Sequence, residues 1–155
     1  NLSNKYGLQS ITFSSETNGF LLYCGTSDGV QILKTTNLGN NWDTIDIPIN
    51  AYVRKCVFTS NDVGYIIGET LSETSSSNFI LKTLDGGLTW NVINESFLDD
   101  YEGSVYSLYD LIITPSNIAY LKTGTKIYKS TDNCLHWQKI PDAVGCRHRN
   151  GQGQT

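Results

Sequence analysis

The sequence predicts an all-β fold made from one four-strand unit repeated three times, and three observations carry that prediction. The tryptophans Trp42, Trp90 and Trp137 stand 48 and 47 residues apart, each preceded in register by an apolar pair, a lysine and a hydroxyl residue. A second anchor lies upstream, where Phe13, Phe58 and Ile113 each precede by seven residues an aromatic, Phe20, Tyr65 and Tyr120. Short β-prone runs alternate with turn-forming clusters, and no segment holds a helical period. A fixed period of roughly 40 to 50 residues marks a repeat architecture, in which one supersecondary unit recurs.

The first copy, residues 8–46, reads as a strand ending at Phe13, a turn through Ser14-Ser15-Glu16-Thr17-Asn18-Gly19, a strand from Phe20, a strand through Ile32-Leu33-Lys34-Thr35, and a last strand after Trp42. The second, residues 52–94, repeats the order with its turn at Thr59-Ser60-Asn61-Asp62-Val63-Gly64, then Ile80-Leu81-Lys82-Thr83, Trp90 and Ile93. The third, residues 105–141, has Thr114-Pro115-Ser116-Asn117, then Ile127-Tyr128-Lys129-Ser130, Trp137 and Ile140. Gly, Pro, Asn and Ser mark these turns because they reach the backbone conformations a reversal needs. Residues 1–143 are expected to hold the repeat domain. Residues 144–155 match no copy and are expected to form a disordered tail.

The turn before each tryptophan is clearest in Thr83-Leu84-Asp85-Gly86-Gly87-Leu88-Thr89-Trp90. A short carboxylate accepts hydrogen bonds from the amides of its own turn, and glycine supplies positive φ at little steric cost. Tryptophan then opens the outgoing strand and buries a large apolar area. Asn37, Gly39, Trp42, Asp85, Gly87, Thr89, Trp90, Asp132 and Trp137 are therefore read as structural turn residues. In the first copy Asn37 replaces Asp and Asn41 replaces Thr; in the third Cys134 replaces Gly and His136 replaces Thr. These departures predict looser first and third turns.

The second turn fits Ser/Thr-x-Asp-x-Gly-x-Thr-Trp and so resembles the Asp-box, or bacterial neuraminidase repeat, of β-propellers. With one box per unit and Gly-Phe or Gly-Tyr opening the second strand of two copies, residues 8–141 are most similar to the propellers of the photosystem II assembly/stability factor family. The resemblance implies three consecutive four-stranded propeller blades, an incomplete and open β-propeller, because rings typically close with four to eight blades. It also implies a non-catalytic protein-binding or assembly scaffold, secreted or otherwise extracytoplasmic. Three blades without a methionine are expected to be a fragment of a larger protein. Open blade edges also invite self-association.

Composition narrows the partners. The chain has formal net charge −4 and pI near 5.0, with its basic residues scattered outside Arg147-His148-Arg149, so a nucleic-acid partner is not expected. No apolar run approaches the roughly 20 residues that span a bilayer. From Thr83 to Leu121 there is no Lys or Arg, while six acids give that stretch a charge of −6. Within it, the loop residues Asp99, Asp100, Tyr101 and Glu102 are the candidate interaction site, because binding residues concentrate in loops held by a rigid scaffold. A second long loop is read from Glu69 to Asn78. The expected partner is a protein or a glycan.

Enzyme readings find little support in the residues. Sialidases, which also carry Asp boxes, need an arginine cluster, and this chain offers only Arg54, Arg147 and Arg149. In that family the boxes lie away from the catalytic centre, which implies structural roles for Asp85 and Asp132. A xyloglucan-cleaving propeller needs two carboxylates facing across a cleft; Asp99, Asp100 and Glu102 are the candidates, with no spacing that separates an acid from a nucleophile. Cys134-x-His136 and Cys146-x-His148 are two pairs of soft ligands, read as incidental. No catalytic residue, metal or cofactor is assigned. Asn1-Leu2-Ser3 and Asn94-Glu95-Ser96 match the glycosylation tripeptide, which is common by chance.

Overall fold

The computed structural model describes residues 7–24, 30–49, 51–70, 77–95, 108–124 and 126–141. Among them every regular element is a strand, and the twelve strands form three separate antiparallel sheets, none of them closed. The first blade is β1 (Leu8–Phe13), β2 (Gly19–Cys24), β3 (Val30–Thr35) and β4 (Asp43–Ile45); the second is β5 (Ala51–Phe58), β6 (Gly64–Thr70), β7 (Asn78–Thr83) and β8 (Asn91–Glu95). The third is β9 (Asp110–Ile113), β10 (Ala119–Lys122), β11 (Ile127–Ser130) and β12 (Gln138–Lys139). Each sheet is a meander in which neighbouring strands pair in chain order. The candidate interaction residues Asp99, Asp100, Tyr101 and Glu102, and the expected tail 144–155, lie outside the described residues.

Register repeats along with sequence. The pairing of β1 with β2 shifts between Leu8 and Ser10, and that of β5 with β6 between Val53 and Lys55, so Gln9 and Arg54 occupy the same bulged position in two copies. Phe13 pairs Gly19 across the first hairpin and Phe58 pairs Gly64 across the next. A Cβ on either glycine would lie 2.7 Å from its partner's ring, so the phenylalanine covers the glycine and leaves no room for a side chain. In the third copy Ile113 pairs Ala119. There the aromatic and the glycine have changed together.

The blades bury their apolar faces against one another. Strand β5 packs on β1, β2 and β3, and β9 packs on β5. Phe20, Leu22 and Ile32 of the first blade join Val53, Cys56, Ile66, Leu81 and Trp90 of the second in one core cluster. Phe20 stacks on Phe58 at 4.5 Å between centroids and meets Trp90 edge-on at 6.4 Å. Tyr65, Ile67 and Ile80 repeat this arrangement against Leu111, Leu121, Cys134 and the partly buried Trp137 of the third blade. Every side chain of β6 but the last is buried, since both faces of the middle blade are covered. Asn94 also belongs to this contact: its side-chain amide donates to the Leu135 carbonyl at 2.7 Å and the Cys134 carbonyl at 3.2 Å.

Candidate functional site

The repeated polar residues converge on the turns before the tryptophans. In the second blade Thr83 Oγ1 donates to Asp85 Oδ1 at 2.7 Å and accepts from the Gly87 amide at 2.9 Å. Asp85 Oδ1 accepts from the amides of Leu88 and Thr89, and Oδ2 from the Thr89 hydroxyl at 2.6 Å. The hydroxyl and amide of Thr89, with the Thr83 hydroxyl, hold the Asp85 carboxyl well below the usual carboxylate range.

The first and third turns are not looser. Thr35 and Ser130 bond Asn37 and Asp132 as Thr83 bonds Asp85, and they accept from the amides of Gly39 and Cys134. Two successive residues take positive φ in every copy: Leu38 and Gly39, Gly86 and Gly87, Asn133 and Cys134. Three of the six are not glycine. The hydroxyl that closes the loop from beneath holds this backbone, and the turn residue above it conforms. His136 substitutes for Thr89 in kind, with Nδ1 2.6 Å from Asp132 Oδ2, and the His136 amide and ring hold the Asp132 carboxyl low.

The tryptophans differ in their surroundings. Trp42 and Trp137 donate from Nε1 to the carbonyls of Gly39 and Cys134, closing their own turns. Trp90 is the most buried of the three, against Phe20 and Phe58, and its Nε1 has no partner. Phe20 lies so close over the second turn that a Cβ on Gly87 would meet its ring at 2.5 Å. Lys34 reaches from the first blade to the same turn, donating to the Gly86 carbonyl at 2.8 Å with its ammonium 5.5 Å from the Phe20 ring centroid.

Two functional-looking residues escape a reading of the sequence. Glu69 belongs to β6, not to a loop, and is buried; Thr70 ends that strand and Asn78 opens β7, leaving residues 71–76 of the expected loop outside the described residues. Glu69 Oε2 bonds Arg54 Nη2 at 2.9 Å, and Oε1 accepts from the Leu108 amide at 2.9 Å. This carboxylate joins the bulge of the second blade to the start of the third. Arg54 Nε is buried without a partner. Glutamate is somewhat depleted from strands, which hides such a residue, and the continuous apolar run before it is the one sign that the strand continues.

Among the described residues the chemistry available is limited. Arg54 is engaged by Glu69, while Arg147 and Arg149 lie outside the described residues, as do Asp99, Asp100, Glu102, Cys146 and His148. Cys134 is buried whereas His136 is exposed, so that pair does not converge, and burial pushes the Cys134 thiol up to about 12. Burial likewise raises Cys56. Among the described residues no three His, Cys, Asp or Glu side chains gather as a metal site, and no helix is long and apolar enough to cross a membrane.

The sequence matches no protein-family model and no curated protein. Solved structures do match in shape. YCF48 bound to a D1 peptide has a TM-score of 0.64 at 22% identity, over 86% of this chain and 40% of that one. YCF48 from Cyanidioschyzon merolae gives 0.64 at 20%, over 90% and 38%, and the GH74 xyloglucanase from Xanthomonas campestris gives 0.62 at 17%, over 85% and 23%. The chain therefore spans about two fifths of either YCF48 chain and under a quarter of the xyloglucanase. At these identities the likeness concerns the fold, and with three four-stranded meanders packed face to face it establishes a propeller-like repeat architecture.

Proposed function

We propose that this chain is a non-catalytic scaffold of Asp-box propeller blades that binds a protein segment through its loops. One observation carries the reading: the polar residues that recur from blade to blade are engaged in turns, the hydroxyl and the acid or amide in their own and Lys34 in that of the following blade. Asp85 and Asp132 are held as anions by hydrogen bonds from within the turn, and a carboxylate so held is a poor general acid. Nucleophile and acid-base partners have no counterpart among the repeated positions. The likeness to YCF48 bound to a D1 peptide makes an extended peptide the first partner to test, and the sequence resemblance favours an extracytoplasmic setting. Self-association through the open blades belongs to the same reading.

The test is fluorescence anisotropy of a labelled D1 peptide titrated with the full chain, beside hydrolysis assays on xyloglucan and a sialoside. Saturable peptide binding with no hydrolysis is expected. Release of reducing sugar, with no binding of the peptide, would replace the scaffold with a glycoside hydrolase, the reading that the GH74 likeness suggests. Binding of the intact glycan without cleavage would keep the scaffold and change its partner.

A further inference from the structure

The two contacts between blades are built alike but are not closed alike. Where the second blade meets the third, Asn94 follows Ile93, and its side-chain amide donates to the carbonyls of Cys134 and Leu135. In the first copy Asp46 follows Ile45 at the same distance from its tryptophan, and Gly87 and Leu88 stand in the second turn where Cys134 and Leu135 stand in the third. A carboxylate has no hydrogen to give a carbonyl. This first contact holds an open groove of about 450 Å³, lined by Lys34, Asp43, Thr44 and Asp46 from the first blade and by Gly87 and Leu88 from the second.

The acceptors of this groove are unspent. Among the described residues neither Asp43 nor Asp46 has a hydrogen bond or an ion pair. The Gly87 carbonyl also lacks the donor that its counterparts have. Trp42 and Trp137 give their Nε1 hydrogens to the carbonyls of Gly39 and Cys134, whereas Trp90 Nε1 is buried without a partner. Lys34 sits across the ladder from Asp43 but does not pair with it. Its ammonium donates to the Gly86 carbonyl at 2.8 Å and lies 5.5 Å from the Phe20 ring centroid. Two carboxylates against one ammonium leave the lining negative, and Leu88, 70% exposed, adds an apolar wall.

We propose that this groove takes an arginine side chain of the bound protein segment; this rests on the scaffold reading above and gives that reading a site. The other blade contact shows which donor such a pair of carbonyls accepts, the planar amide group of Asn94. A guanidinium is a planar fork of N–H donors that pairs with a carboxylate two bonds at a time and has further hydrogens for carbonyls. Its charge balances the excess carboxylate, and its methylene stem has Leu88 to lie along. A lysine ammonium is a compact, strongly hydrated point charge without that fork. A calcium ion takes about 6 to 8 oxygen ligands, and no three acidic, His or Cys side chains gather among the described residues. The groove is of the size that ligand sites have, and both its walls belong to blades of this chain.

The test is a titration of the isotope-labelled full chain, followed by the amide resonances of Gly87 and Leu88. The probe is a blocked glycine pentapeptide with arginine at its centre, beside the same peptide with citrulline, which keeps the shape and loses the charge. Saturable shifts with the arginine peptide are expected, and binding of the citrulline peptide should be weaker by roughly tenfold. Asp46→Asn places the amide of Asn94 in the first contact; the position is exposed, so circular dichroism should be unchanged while arginine binding falls by roughly tenfold or more. Equal binding of the two peptides, undiminished binding by Asp46→Asn, or resonances that move with calcium chloride and not with the arginine peptide would each overturn the site. The D1 peptide separates the two proposals. Binding that is the same in wild type and Asp46→Asn keeps the scaffold and overturns the groove. Hydrolysis of xyloglucan by a chain that also binds the arginine peptide through Asp46 overturns the scaffold and keeps the groove.

Discussion

Adding one methyl group at Gly64 tests the packing rule that links the first two strands of a blade. The new Cβ would sit 2.7 Å from Cε1 and Cζ of Phe58, about an ångström inside ordinary carbon contact. The ring has no easy retreat. It stacks on Phe20 at 4.5 Å and meets Trp90 edge-on at 6.1 Å. Overpacking of this kind costs about 1 to 3 kcal/mol, and displacing an aromatic pair about 0.5 to 1.5 more. The stiffer unfolded chain of alanine returns about 0.4 to 1. Gly64→Ala should therefore destabilise by about 0.5 to 4 kcal/mol. Phe58→Ile alone, which leaves a gap beside Gly64 and removes the ring pair, should cost a similar amount, about 1 to 3 kcal/mol. The double variant recreates the Ile113 and Ala119 pair of the third blade and should lose less than the sum, with a coupling of about 1 to 2 kcal/mol. Urea denaturation of the four proteins measures that coupling. Additivity within about 0.5 kcal/mol would refute the pairing as the reason for the glycine.

Trp90→Ala should cost about 3 to 5 kcal/mol and Trp42→Ala far less, because Trp90 is buried against Phe20 and Phe58 while Trp42 is only partly buried; equal losses in urea midpoint would contradict the packing described. Glu69→Gln should cost about 2 to 4 kcal/mol by leaving Arg54 without its counter-charge, and the loss should exceed that of the matched variant Glu95→Gln, where no such pair exists among the described residues. The folded carboxyls of Asp85 and Asp132 are depressed, so their contribution is present above the unfolded value and is lost as pH falls through the unfolded range toward the folded values. The urea midpoint should drop between about pH 5 and pH 2, and Asp85→Asn with Asp132→Asn should flatten that drop; the same pH slope in both proteins would show that these carboxyls do not report the turn.

The blades were legible because their anchors repeat at fixed intervals, and each anchor has a physical job that tolerates little change. Tryptophan fills the space between blades, the hydroxyl before each turn closes it, and the acid or amide two residues on gathers the amides above. What misled was attention to the residues on top of the turn. Asn37, Asn41, Cys134 and His136 suggest looser turns when read singly, and Leu38, Asn133 and Cys134 take the positive φ that strains an L side chain. Yet Thr35, Thr83 and Ser130 place an acceptor under each loop, and that shared feature was already visible as the hydroxyl in every copy. Glu69 was harder to see. Its partner Arg54 is 15 residues away at a bulge, and its other partner is a backbone amide of the next blade, so no local pattern announces either contact.

The lysine of each copy shows how far the repeat reaches beyond its own blade. Its position in the third strand is followed at once by a hydroxyl that serves its own turn, while Lys34 serves the turn of the next blade. Lys34 caps the Gly86 carbonyl, and Lys82 lies near Cys134 with its ammonium over Tyr65. A charged residue on a half-buried strand costs solvation, which for Lys34 is offset by the Gly86 carbonyl that the positive-φ turn directs toward the preceding blade. Each unit therefore carries part of its neighbour's structure, and stability becomes a sum over contacts between adjacent blades. The middle blade, held on both faces, should be the last to open; the outer blades depend on whatever completes the circle.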